Sequence, residues 1–204
     1  MELQSPTLDE RKWLDRFRDQ FDVSAMSTYT DLGLFYERHR KFVEYQPLSD
    51  PNHPEYTDAE WDRVMGAFLD SLAGEFGMVQ AADWEGRPEL IWFWPGVPQA
   101  PAVTIRAANS ASEAIVTEAL PQIVRSGAEL SVLLMYPDYP HPPGTTSIEE
   151  ATADWRTRLE VALHGLKANR RFLLLTISAY AWDVPAPWKG FVWNAGAGRL
   201  EDAD

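Results

Sequence analysis

Three short β-type stretches stand in a row between Met78 and Asn109, and they limit the possible folds more than any other feature. They are Met78-Val79-Gln80-Ala81-Ala82-Asp83-Trp84, then 88–94 (PELIWFW) and 102–109 (AVTIRAAN). Turn chemistry separates them, at Glu85-Gly86-Arg87 and through the proline-bounded segment 95–101. A helical pattern precedes the group and another follows from Ser110 to Gly127, and then comes the all-apolar run Leu130–Tyr136. Strands that first run consecutively and then alternate with helices predict a mixed sheet with helical layers, an α/β (α+β) architecture.

Alternation assigns faces within these strands. In the second, Glu89, Ile91 and Phe93 share one face and Leu90, Trp92 and Trp94 the other. Three aromatic residues in succession, Trp92-Phe93-Trp94, predict a strand covered on both sides. In the third, Val103, Ile105, Ala107 and Asn109 share a face, opposite Thr104, Arg106 and Ala108.

The helix before the strands opens on Thr57-Asp58-Ala59-Glu60, a capping box, and closes at Gly77. Its apolar stripe runs through Trp61, Val64, Met65, Phe68, Leu69, Leu72 and Phe76. Glu75 follows Phe68 by seven residues, about 20° away in projection, so it is expected on the core side of the helix. In the helix after the strands, Pro121 should kink or split the element, since an interior proline costs about 3 kcal/mol. Thr146-Ser147-Ile148-Glu149-Glu150 caps a further helix, with Trp155, Leu159, Ala162, Leu163 and Leu166 inward. Phe172–Tyr180 and Phe191–Asn194 are the remaining expected strands.

Two more helices are expected before residue 47, one capped at Thr7-Leu8-Asp9-Glu10 with Trp13, Leu14, Phe17 and Phe21 on its stripe, the other carrying His39 on its apolar side. His39 reads as a core or half-buried histidine, and His141, in a proline-rich loop, as a surface residue. The expected organisation is therefore an N-terminal helical extension over 1–56, an α/β core over 57–194, and a frayed acidic tail over 195–204.

Strand–strand–strand–helix–strand, with an acid after proline on the second strand (Arg87-Pro88-Glu89-Leu90), resembles the PD-(D/E)XK (restriction-endonuclease-like) nucleases. The resemblance spans about residues 57 to 136. It implies a mixed central sheet flanked by helices and a divalent-metal site. In that superfamily a helix supplies one acid, the second strand another, and the third strand an acid, a spacer and a lysine. The acids hold the metal, and the lysine positions or activates the attacking water. Carried over residue by residue, Glu75 takes the helix position and Glu89 the post-proline position. On the third strand the acid position holds Arg106 and the lysine position holds Ala108.

Those two departures point to a catalytically degenerate member, a pseudo-nuclease kept for binding or regulation. A guanidinium in place of a carboxylate changes the local charge by two units. A like-charge contact at ~4 Å costs ~4 kcal/mol even at an effective dielectric of 20. Arg106 is expected to occupy the metal position itself and to pair with Glu89 or Glu75. No cofactor is expected on this reading. The alternative is an active Mg²⁺- or Mn²⁺-dependent nuclease with Glu75, Glu89 and Asp83 around the ion, Asn109 being a further candidate for a relocated polar group. A third reading is an unrelated α/β interaction module, with the aromatic strand and the AWDVPAPW segment as its partner surface.

Charge bears on the partner. The chain carries 31 acidic against 18 basic residues, a net charge of −13, while phosphate-backbone binding draws on clustered Lys and Arg. A protein partner is therefore favoured over nucleic acid, and the basic runs at Arg38-His39-Arg40-Lys41 and Lys167/Arg170/Arg171 read as solvated faces. The absence of cysteine excludes disulfides and thiolate metal sites and fits a reducing, cytoplasmic setting. No signal peptide or membrane span is expected. Phosphate-loop, dinucleotide, HExxH and nucleophile-elbow signatures are missing. Oligomeric state and pathway stay open at this point.

Overall fold

A computed structural model describes residues 12–17, 69–70, 72–81, 89–97, 101–108, 111–137, 147–168, 171–176 and 189–203. It is built on a seven-stranded mixed sheet whose strands lie in chain order. These are β1 (Val79–Gln80), β2 (Glu89–Phe93), β3 (Val103–Ala108), β4 (Leu130–Met135), β5 (Arg171–Thr176), β6 (Lys189–Asn194) and β7 (Arg199–Asp202). The first three pair antiparallel, β3–β4 and β4–β5 pair parallel, and the last two junctions are antiparallel again. Helical residues 12–17 (α1) and 69–70 with 72–75 (α2) precede the sheet. Helix α3, residues 113–125, joins β3 to β4, and α4 (Ile148–Gly165) joins β4 to β5.

Burial follows from this topology. The parallel centre must be covered on both faces, and every residue of β4 is buried, as its unbroken apolar run Leu130–Met135 requires. Both crossovers step the same way along the sheet, so α3 and α4 lie on the same face. There Leu133, Phe172, Leu174 and Trp193 pack with Ile115, Ile123, Trp155 and Leu159. Residues of opposite parity, Trp92, Ile105, Val132 and Leu173 among them, pack on the other face with Trp13, Leu14, Leu69 and Leu72 from α1 and α2. The result is three layers, helix on sheet on helix.

Helix ends and interruptions follow their residues. Ser147 caps α4 from extended backbone, its hydroxyl accepting from the Glu150 N–H at 3.2 Å, as its spacing predicts. Pro121 does interrupt α3, and the interruption takes the form of a π turn over Ile115–Ala119 followed by an α segment, Leu120–Arg125, with the proline in its first turn. A wider turn relieves the clash between the proline ring and the carbonyl four residues back. One carbonyl near the helix end, that of Ile123, is met by two hydroxyls. Ser126 and Ser131 both donate to Ile123 O, at 2.7 and 2.9 Å, and the buried Thr104 donates to Ser126 Oγ at 3.0 Å.

One expectation fails. The C-terminal residues are not frayed: Arg199–Asp202 form β7, paired along β6 from Asn194–Arg199 to Phe191–Asp202. The turn between them is set by Asn194, whose side chain accepts from Ala197 N–H at 3.0 Å, and by Gly198 at φ +66. The described part of the N-terminal helix packs on the core. Trp13 is fully buried, its ring 5.5 Å from Phe17, 6.2 Å from Phe76 and 6.0 Å from Trp92. Residue 13 thus belongs to the same core as β2.

The expected helix through His39, the capping boxes at Thr7 and Thr57, the loop bearing His141, and Phe68 lie outside the described residues. Among the described residues no helix is long and apolar enough to cross a membrane.

Candidate functional site

The β2–β3 ladder carries the candidate site. Its register opposes Glu89 to Arg106, Leu90 to Ile105, Ile91 to Thr104 and Trp92 to Val103. On its other side β3 runs parallel to β4, with Arg106 level with Leu133 and Ala108 level with Met135. Arg106 is therefore bracketed by an acid's backbone position on one neighbouring strand and a core leucine on the other. It is half-buried.

Ala108 lies two residues further along β3. It is 8% exposed and belongs to the apolar cluster beneath α3 and α4, with Ile115 and Met135. A lysine there would have to bring an ammonium group into that cluster, whereas the alanine adds one methyl group and no polar atom. Thr104, two residues back on the same face, is fully buried and committed to Ser126. The face that alternation assigned to Thr104, Arg106 and Ala108 is thus the face covered by α3 and α4.

Glu75 sits elsewhere. Helix α2 places Leu69, Leu72, Ala73 and Phe76 on the opposite face of the sheet, with Trp13 and Trp92. Glu75 itself is exposed. This corrects the expectation that it faces the core. Among the described residues the buried positions are 69, 72 and 73, with Phe76 packed beside them, and Glu75 lies about 110° from their centre at about 100° per residue. The structure accordingly brings the positions of Glu89 and Arg106 together and leaves Glu75 on the other helical layer. Asp83 and Asn109 lie outside the described residues, as does the side chain of Glu89.

Among the described residues no group of three or more His, Asp or Glu is arranged to hold a metal ion. Several charged contacts among the described residues join α4 to its neighbours. Arg158 bridges Glu113 on α3 and Asp154 one turn back on α4, the latter at 2.8 Å, and its guanidinium lies 5.2 Å from the Trp155 ring. Arg156 and Glu160 reach β7: Arg156 Nη2 donates to Leu200 O at 2.6 Å, and Leu200 N–H donates to Glu160 Oε1 at 2.8 Å. The i,i+4 spacings Asp154/Arg158 and Arg156/Glu160 are visible in the sequence. Their partners across the fold are not, because the sequence of β7 carries no periodic signal.

No protein-family model matches the chain, and no curated protein does. Among solved structures, the chain is similar to a carbon-nitrogen hydrolase from Helicobacter pylori G27. The two share 12% identity over 90% of this chain and 79% of that one, with a TM-score of 0.37. A likeness this distant assigns neither a family nor an activity.

Proposed function

We propose that the chain is a catalytically degenerate restriction-endonuclease-like domain that acts by binding a protein partner. The order β1–β2–β3–α3–β4 is the order the superfamily resemblance requires. The single observation that carries the reading is the β2–β3 register. It sets Arg106 level with Glu89, where the superfamily would hold a second acid, while Ala108 stands in an apolar cluster where it would hold a lysine. A cation at that point repels a metal ion and offers any nearby carboxylate a partner instead. The acidic balance of the chain, 31 acids against 18 bases, favours a protein over a phosphate backbone as the partner. Its lack of cysteine suits a cytoplasmic setting. The relocated-site alternative, with Mg²⁺ or Mn²⁺ held by Glu75, Asp83 and Glu89, gains nothing from an exposed Glu75 on the opposite helical layer.

Incubation of the pure protein with plasmid, single-stranded DNA and RNA in Mg²⁺ and in Mn²⁺ tests this reading. All substrates should remain intact. Cleavage that disappears in a Glu89→Ala variant would overturn it.

A further inference from the structure

The described sheet ends on β7, and an edge strand ordinarily leaves alternate N–H and C=O groups open to strand addition by another chain. The ladder phase identifies which groups those are. Ala203 N–H donates to Gly190 O at 2.9 Å, so 203/190 is a hydrogen-bonded pair. In an antiparallel ladder such pairs recur at every second residue, which makes Glu201/Val192 the next and leaves Leu200 and Asp202 with their main-chain groups facing away from β6.

Leu200 does not offer those groups to solvent. Both are taken by side chains from successive turns of α4: Arg156 donates to its carbonyl and Glu160 accepts from its N–H. Arg156 is held in place from two further directions. Its guanidinium lies 4.3 Å from the Phe191 ring and 3.6 Å from the Asp202 carboxylate. The arrangement mimics a neighbouring strand, with one donor and one acceptor presented to one residue.

We infer that Arg156 and Glu160 form a side-chain clamp that closes the β7 edge against strand addition by a second copy of this chain. The inference is independent of the nuclease-like reading. A second copy is the partner at issue because its own β7 would present the same outward donor and acceptor, so that two opened edges complement each other about a two-fold axis.

Hydrogen exchange and solution size test the clamp together. In the wild-type protein the Leu200 amide should exchange slowly for an edge position. Glu160→Ala should speed it by roughly tenfold or more, while Glu160→Gln, which keeps an acceptor oxygen, should leave it close to wild type. Arg156→Ala/Glu160→Ala should then form a larger species than wild type in a concentration-dependent way, seen by light scattering. Adding Asp202→Pro, which removes an outward-facing N–H at a position where an edge strand tolerates proline, should restore the wild-type size. An unchanged Leu200 exchange rate in Glu160→Ala overturns the clamp. So does a double variant that keeps the wild-type size although Leu200 exchanges faster. If the double variant fails to fold, Glu160→Ala alone supplies both readouts and is judged by the same two outcomes.

Discussion

Arg106 stands level with Glu89 across the β2–β3 ladder, and two residues further along β3 the chain turns from charge to a buried methyl group at Ala108. Directly opposed residues of an antiparallel pair have Cβ atoms about 4.5–5.5 Å apart, the spacing at which unlike charges stabilise and like charges destabilise a sheet. Arg106 is half-buried on a strand whose neighbours at 103–105 and 108 are all buried. A bound divalent ion at the same point would have to coexist with a fixed positive charge.

Trp13 ties residues distant in sequence to the sheet. It is enclosed by Phe17, Phe76 and Trp92 with no exposed surface. Trp13→Ala should lower unfolding stability by about 3–5 kcal/mol, the range for emptying a buried aromatic site. Chemical denaturation with a near-ultraviolet or fluorescence probe measures it. A loss under about 1 kcal/mol would mean that α1 contributes little to the core.

At Gly190, β6 lies against Leu14 of α1. A Cβ at 190 would stand 2.3 Å from Leu14 Cδ2 and 3.3 Å from the Ala203 Cβ, and Leu14 is only 1% exposed. Gly190→Ala should therefore cost about 1–3 kcal/mol, the usual penalty for overpacking a filled core. Leu14→Ala removes the obstructing group, so the double variant should be more stable than the sum of the two single losses predicts. Additive losses in the double-mutant cycle would contradict the contact.

Much of this arrangement is legible in the sequence, and the reasons for the exceptions are physical. Apolar alternation exposes the faces of β2 and β3, the unbroken run at 130–135 announces a fully buried strand, and Ser147 and Pro121 mark a cap and an interruption. Strand β7 is hidden because Arg-Leu-Glu-Asp carries one apolar residue, Leu200. It is held by pairing with β6 and by side chains from α4, neither of which leaves a periodic signal. Alternation also assigns a face without assigning a register, so the opposition of Glu89 and Arg106 could be expected only as one of two pairings. Glu75 lies beside the apolar stripe in projection, but the described buried positions 69, 72 and 73, with Phe76 packed beside them, face away from it.

Glu201 offers a pH probe of the same C-terminal hairpin. Hydrogen bonds from the Asn194 side chain and from Arg199, the latter at 3.0 Å, lower its carboxyl pKa below the ordinary glutamate value. A carboxylate depressed in the folded state adds stability above its unfolded pKa and loses it as pH falls through the folded one. Carboxyl NMR titration should find Glu201 deprotonating below the usual glutamate range, and Asn194→Ala should move the midpoint upward. An ordinary midpoint in the wild-type protein would argue against a formed β6–β7 turn.

Calorimetric titration of Mn²⁺ into the wild-type protein and into an Arg106→Asp variant bears most directly on the claim that a guanidinium has displaced the metal. The account predicts no saturable heat in the wild type and a saturable signal once the arginine becomes an acid. Saturable Mn²⁺ binding to the wild-type protein that is lost in Glu89→Ala would contradict it.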